Sequence, residues 1–210
     1  MRNFENWETQ DLEIQFGLFQ NFNSSLLNDW LKSTSSFDDA TKQRLDRLSQ
    51  KYFEFADYWN EDELKMLGIS PVLDIVDYSS KLYTVFTQRP LSATINGIEI
   101  GGRVDFMIAR GKQKPIQPYF FIHEYKQETK RGSGDPKGQL LSELLAAQHR
   151  NDSKFPLYGC YVLGRNWFFV VLDGKEYAVS NAFNASDDDI YKIVAILSQV
   201  KIHIQKFIGD

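Results

Sequence analysis

The sequence predicts an α/β chain of the α+β kind: a central mixed β-sheet flanked by helices, with a helical N-terminal region. Three observations carry this expectation. The first third spaces its apolar residues three and four apart; from about Tyr83 the chain turns β-branched and aromatic; and two hairpin signals, Asn96-Gly97 and Asp173-Gly174, stand on either side of a well-marked helix. At 210 residues the chain can bury one sizeable core, read as 61–210, with a helical region over 1–60 packed on it.

In order along the chain, "DLEIQFGLFQ" and "SLLNDWLKST" are short amphipathic helices, and "FDDATKQRLDRLSQKYFEFADYW" is a long one that opens on capping acids. "NEDELKMLGISPVLDIVDY" adds a helix expected to end near Gly68, ahead of Pro71. Asn96-Gly97 then joins the strands "LSATI" and "IEI", because both central residues of the favoured two-residue turn need positive φ. "GRVDFMIAR" is the next strand, with a bend at Gly101-Gly102. "GKQKPIQP" is a loop, and "YFFIHEYKQ" a strand that leads into "ETKRGSG", a polar glycine-containing loop expected to be mobile. "DPKGQLLSELLAAQHRN" has an Asp cap and Pro at the first helical position. "PLYGCYVLG" and "NWFFVVLDGKEYAVS" read as strand, turn, strand, and "DDDIYKIVAILSQVKIHIQKFI" as a closing helix whose leading acids suit the helix dipole.

Composition narrows the function classes. Apolar and charged fractions of 42% and 25% are those of an ordinary globular chain, and a net charge of −4 lacks the basic excess of a dedicated duplex binder. No apolar run approaches the roughly 18 residues of a membrane span, and "MRNFENWETQDLE" lacks a signal peptide's apolar middle, so no membrane role and a cytoplasmic location are expected. The lone Cys160 excludes a disulfide framework, and His123, His149 and His203 are too scattered for a zinc cluster.

Two places put charge inside apolar strands: Asp105 in "RVDFMI", and the Glu124/Lys126 pair in "FIHEYK". A buried carboxylate is costly unless it is paired, hydrogen-bonded or bound to a cation. The three charges are therefore either a self-neutralising structural network or a metal site. Two carboxylates and a backbone carbonyl suit Mg²⁺ or Mn²⁺, and a lysine two residues from one acid shares its strand face and can hold a water against the same reacting centre.

"VD", a loop and then "HEYK" resembles the D…(E/D)-x-K motif of the PD-(D/E)xK, or restriction-endonuclease-like, nuclease superfamily. The resemblance spans roughly 60–180 and includes element order, since that core runs helix, three-stranded meander, helix, strand. It implies a metal-dependent nuclease with Asp105, Glu124 and the Tyr125 carbonyl as ligands of Mg²⁺ or Mn²⁺ and Lys126 as the catalytic lysine. Gln139, early in the following helix, matches a Gln found near the site in many members. The implied partner is nucleic acid, read as DNA, with a homodimer the simplest way to cut both strands. Val104 stands where the motif has its Pro. Members often add a carboxylate from the helix before the sheet; Glu61 and Glu63 lie there, but no motif assigns either to the site.

Lys130, Arg131 and Lys137 surround "RGSGDPKG" and are candidates for phosphate contacts. Glu143 shares a helix face with Gln139 and is expected to be solvated. His149 and Arg150 close their helix as cations suited to its dipole, and His123 is expected to be a satisfied core histidine. The rival to the enzyme is an inactive nuclease-fold domain that binds nucleic acid or another protein.

Overall fold

A computed structural model describes residues 1–127 and 134–208. Its centre is a mixed sheet of nine strands among the described residues, in the order β1-β4-β5-β6-β7-β8-β2, with β3 on β4 and β9 on β7. The long meander is β3 (Thr84–Ile95), β4 (Ile98–Arg110) and β5 (Ile116–Lys126), all antiparallel. Asn96 and Gly97 both take positive φ, 52° and 79°, as the hairpin signal requires. After β5 the chain crosses through α6 (Pro136–Arg150) to β6 (Leu157–Leu163), which lies parallel to β5; β7 (Asn166–Asp173), β8 (Glu176–Val179) and the two-residue β9 (Phe183–Asn184) follow. The second hairpin forms one residue later than its sequence signal, because Asp173 still pairs with Glu176 and the turn is Gly174-Lys175.

Two apolar layers cover the sheet. On one face lie α2 (Ser25–Leu31), α3 (Asp39–Phe55) and the closing α7 (Asp189–Ile208), around Trp30, Tyr52, Phe121 and Val200. The Trp30 indole donates to the Ile196 carbonyl at 2.8 Å, fixing α2 on α7. On the other face are α6 and α1 (Thr9–Phe16), packed among Leu140, Leu144, Ile122 and Phe16. Every residue of α6 from Gly138 to Gln148 is buried, so this helix is enclosed all round rather than laid on a surface. It is enclosed because the β3–β4 hairpin and the N-terminal segment also pack on it; Leu91 and Ile100 belong to the same apolar cluster.

Two readings of the first eighty residues need correction. The helix starting at Glu61 does not stop at Gly68: α4 (Glu61–Glu63) runs through a π-helical stretch, Leu64–Ile69, into α5 (Ser70–Val76). Pro71 has no N–H to give an earlier carbonyl, and the widened turn absorbs that loss without ending the helix. The N-terminal region is also not purely helical. β1 (Arg2–Asn3) lies parallel to β4 at Ile100 and Gly101, and β2 (Phe19–Gln20) parallel to β8. Two-residue strands carry too little periodicity to be visible in sequence. No helix among the described residues is long and apolar enough to cross a membrane.

Pro136 opens α6 as expected, but the carboxylate of Asp135 does not cap it; Oδ2 accepts the Thr9 backbone N–H at 2.8 Å and the Thr9 hydroxyl at 2.6 Å. The N-terminal chain is thus tied across the start of α6, so close that a Cβ on Gly138 would lie 2.5 Å from the Trp7 carbonyl oxygen and 2.7 Å from the Thr9 nitrogen. Both neighbours are backbone and cannot swing away. Gly138→Ala is expected to destabilise the fold by about 1–3 kcal/mol through overpacking, read as a lower midpoint in urea at unchanged m-value.

Candidate functional site

The β4–β5 ladder ends at Phe106 opposite His123, whereas β5 continues beside β6 as far as Lys126. One step beyond the last rung, that register sets Asp105 opposite Glu124 on one face of the sheet. The two strands part at these acids, so both carboxylates stand at the end of the sheet's continuous pairing. Glu124 is wholly buried and Asp105 nearly so, with side-chain exposures of 1% and 12%. Lys126 lies on the same face, its ammonium 2.8 Å from Glu124 Oε1. Asp105, Glu124 and Lys126 are therefore brought together.

Gln139 and Glu143 descend from α6 onto the same place. The Gln139 amide donates to Glu143 Oε1 at 3.3 Å, and both side chains are buried. The expectation of a solvated Glu143 is wrong because α6 is enclosed on all sides; "LLSELLAA" flanks the acid with apolar residues, and that was the available signal. From the opposite layer, the π-helical stretch carries Lys65, whose ammonium is 2.8 Å from Glu61 Oε1 and 3.3 Å from Asp105 Oδ1. Gln88 of β3 donates its side-chain amide to the same Asp105 oxygen. Lys65, Glu61 and Gln88 are residues the motif could not reveal, since none has a fixed spacing to it.

Four carboxyl groups, Glu61, Asp105, Glu124 and Glu143, thus face two ammonium groups, Lys65 and Lys126. Burial pushes the Glu124 carboxyl up to about 8, with the Asp105 charge adding to the rise and Lys126 opposing it. Burial likewise raises Glu143 well above the ordinary carboxylate range, helped by Glu124 and opposed by the Gln139 hydrogen bond. Burial alone would lower Lys126, but the charges of Glu124, Glu61 and Asp105 outweigh it and hold the ammonium above its usual value. Even so, Asp105 Oδ2, Glu124 Oε2 and Glu143 Oε2 are buried without a partner. With Glu124 and Glu143 raised in this way, what the buried oxygens lack is donors.

Among the described residues no group of three or more His, Cys, Asp and Glu side chains is arranged to hold a metal ion. The donors that lack partners are nonetheless hard carboxylate oxygens, the chemistry Mg²⁺ takes, and Mg²⁺ needs only one or two protein carboxylates because it retains waters. A cleft of about 630 Å³ opens beside Asp105, walled also by Lys65, Gln88 and Tyr125; Glu124, Lys126, Gln139 and Glu143 do not line it. It shares Leu73, Asp74, Tyr78 and Val85 with a neighbouring hollow that reaches Arg44 and Ser79.

Of the remaining candidates, Lys137 is half-buried in the first turn of α6, while Lys130, Arg131 and most of the loop expected to be mobile lie outside the described residues. Tyr125 is buried, with its ring 5.3 Å from the Lys65 ammonium. His123 is in the core on the other sheet face, as expected, yet it is not satisfied: neither ring nitrogen has a partner, and burial pushes its pKa down to about 3, so it is a neutral ring among Phe106, Phe121, Tyr125 and Trp167.

The acids give the fold a pH signature. A group whose folded pKa stands near 8 against 4.5 in a model carboxyl binds its proton more tightly when folded, so its contribution is complete below about 4.5 and is lost as pH rises towards 8. In chelator the melting temperature is expected to fall between pH 5 and 8, and Glu124→Gln, which keeps the shape without the charge, to melt higher at pH 8 and to show a flatter profile. Calorimetry across that range checks both. No protein-family model matches the chain, and no curated protein matches it in sequence.

Proposed function

We propose that this protein is a metal-dependent phosphodiesterase of the PD-(D/E)xK type acting on DNA. The observation that carries the reading is one buried, unpartnered oxygen on each of Asp105 and Glu124, Oδ2 and Oε2, on acids that face each other across β4 and β5 with Lys126 alongside. Element order supports it as well: a helix, a three-stranded meander bearing Asp105 and Glu124, a crossover helix with Gln139, then a parallel strand. The choice of DNA follows from the resemblance of "VD…HEYK" to that superfamily.

Asp105 and Glu124 would hold Mg²⁺ or Mn²⁺, with the Tyr125 carbonyl as a further donor. The bound ion supplies Lewis-acid stabilisation of phosphoryl oxygen charge and a more acidic water. Lys126, held beside Glu124, orients the attacking water and offsets negative charge as it develops on the phosphate. Glu124 must be ionised to act as a ligand, so the pKa that burial raises falls when a cation arrives, and affinity should increase with pH through the neutral range. Gln139 fixes one oxygen of Glu143. The cleft beside Asp105 gives a phosphate chain an approach.

One observation favours the alternative of a binding or interaction module without turnover: Lys65 and Gln88 already occupy Asp105 Oδ1, and Lys126 already pairs with Glu124. The same experiment separates the two. Lys126→Ala leaves both carboxylate ligands in place and is expected to reduce cleavage of plasmid or single-stranded DNA by about 10²–10³-fold, while the Mn²⁺-induced rise in melting temperature persists. A wild type that neither cuts nor gains stability with Mn²⁺ sinks the nuclease reading and leaves the module.

A further inference from the structure

The β3–β4 ladder is continuous from Thr84 opposite Ala109 to Ile95 opposite Ile98 except at one rung, where Gln88 faces Asp105. There Gln88 takes φ 53°, a left-handed conformation that a side chain other than Gly, Asn or Asp seldom adopts, least of all within a strand. Its carbonyl, out of the ladder, accepts instead from Arg103 Nη1 at 2.8 Å. Its side-chain amide donates to Asp105 Oδ1. Strained backbone persists where the surroundings over-determine it, and the observed outlier here is aimed at the carboxylate of the candidate site.

We infer that Gln88 is a positioning residue for Asp105, held in a strained conformation so that its amide locks one carboxylate oxygen and presents the other for cation binding. The inference rests on the reading of Asp105 as a metal ligand. Asp105 Oδ1 receives two donors from opposite sides, Gln88 Nε2 from the sheet and Lys65 Nζ, at 3.3 Å, from the π-helical stretch. Rotating the carboxylate would break both contacts. Oδ2 is thereby held in its buried place, bare of any partner. An outer residue that orients a ligand in this way sustains metal affinity without touching the metal. Gln88 is exposed and lines the cleft, so its side chain can be cut back without opening a cavity in the core.

Backbone strain and amide contact can be measured separately with Gln88→Ala and Gln88→Gly. Both remove the amide, but only glycine accepts the positive φ without strain. Mn²⁺ binding by calorimetry and melting temperature in chelator are read for wild type and both variants. The expectation is that Gln88→Gly melts about 2–4 °C above Gln88→Ala, while both lose Mn²⁺ affinity to the same degree, about 10–100-fold. Variants that bind Mn²⁺ as tightly as a binding wild type overturn the positioning role, and equal melting temperatures overturn the strain. A wild type that binds no Mn²⁺ overturns the metal site itself, and this inference with it.

Discussion

Burial of Glu124 and Glu143 beneath an enclosed helix is the constraint around which the rest of this structure is arranged. Taking a carboxylate out of water costs several kcal/mol even after relaxation. The protein meets that cost only in part: Lys126 lies against one oxygen of Glu124 and Gln139 against one of Glu143, and the remaining oxygens are bare. A network built for stability alone would finish the pairing, or would replace the acids by apolar residues of similar volume. The bare oxygens of Asp105, Glu124 and Glu143 leave hydrogen-bonding capacity unused in a dry place.

The enclosure is itself a product of packing from three directions. The sheet lies beneath α6, the β3–β4 hairpin folds against it, and the N-terminal segment crosses its first turn, tied there by Thr9 and Asp135. Such a helix has little freedom to tilt or slide, so Gln139 and Glu143 are held as firmly as a core leucine would be. The opposite layer is built differently. There the wall of the site is a helix widened into a π-turn ahead of Pro71, with Lys65 reaching over the Tyr125 ring to Asp105, and beside it the structure opens into a cleft. The α6 side of the carboxylates is dry, and the other side opens to the cleft beside Asp105.

The point at which the sheet parts joins the two halves. β4 and β5 separate one rung before Asp105 and Glu124 would pair, and on the far side of β4 the Gln88 rung of β3 is also broken. Two interruptions flanking Asp105 free it from the regular pleat, so that donors from a strand and from a helix can both reach it. The flaw in the ladder and the functional candidate therefore coincide, as strain and function tend to.

Much of this was legible in the chain itself. The β-branched and aromatic content of "GRVDFMIAR", the Asn-Gly turn, Pro136 at a helix start and the acid-x-lysine spacing of "HEYK" all act between near neighbours, and so they determined the strands, the first hairpin, α6 and the facing of Glu124 with Lys126. Where the reading failed, the cause lay at a distance. The helix past Gly68 persists because a π-turn accommodates Pro71, the two-residue strands exist only through partners 98 and 157 residues away, and Glu143 is buried because a hairpin and an N-terminal segment close over it. Lys65, itself paired with Glu61, and Gln88 converge on Asp105 from elements whose docking no local pattern encodes. Sequence alone determined which residues carry charge into the sheet; only the tertiary structure decided which carboxyl groups lose their water and which oxygens lack a partner, because both depend on neighbours remote along the chain.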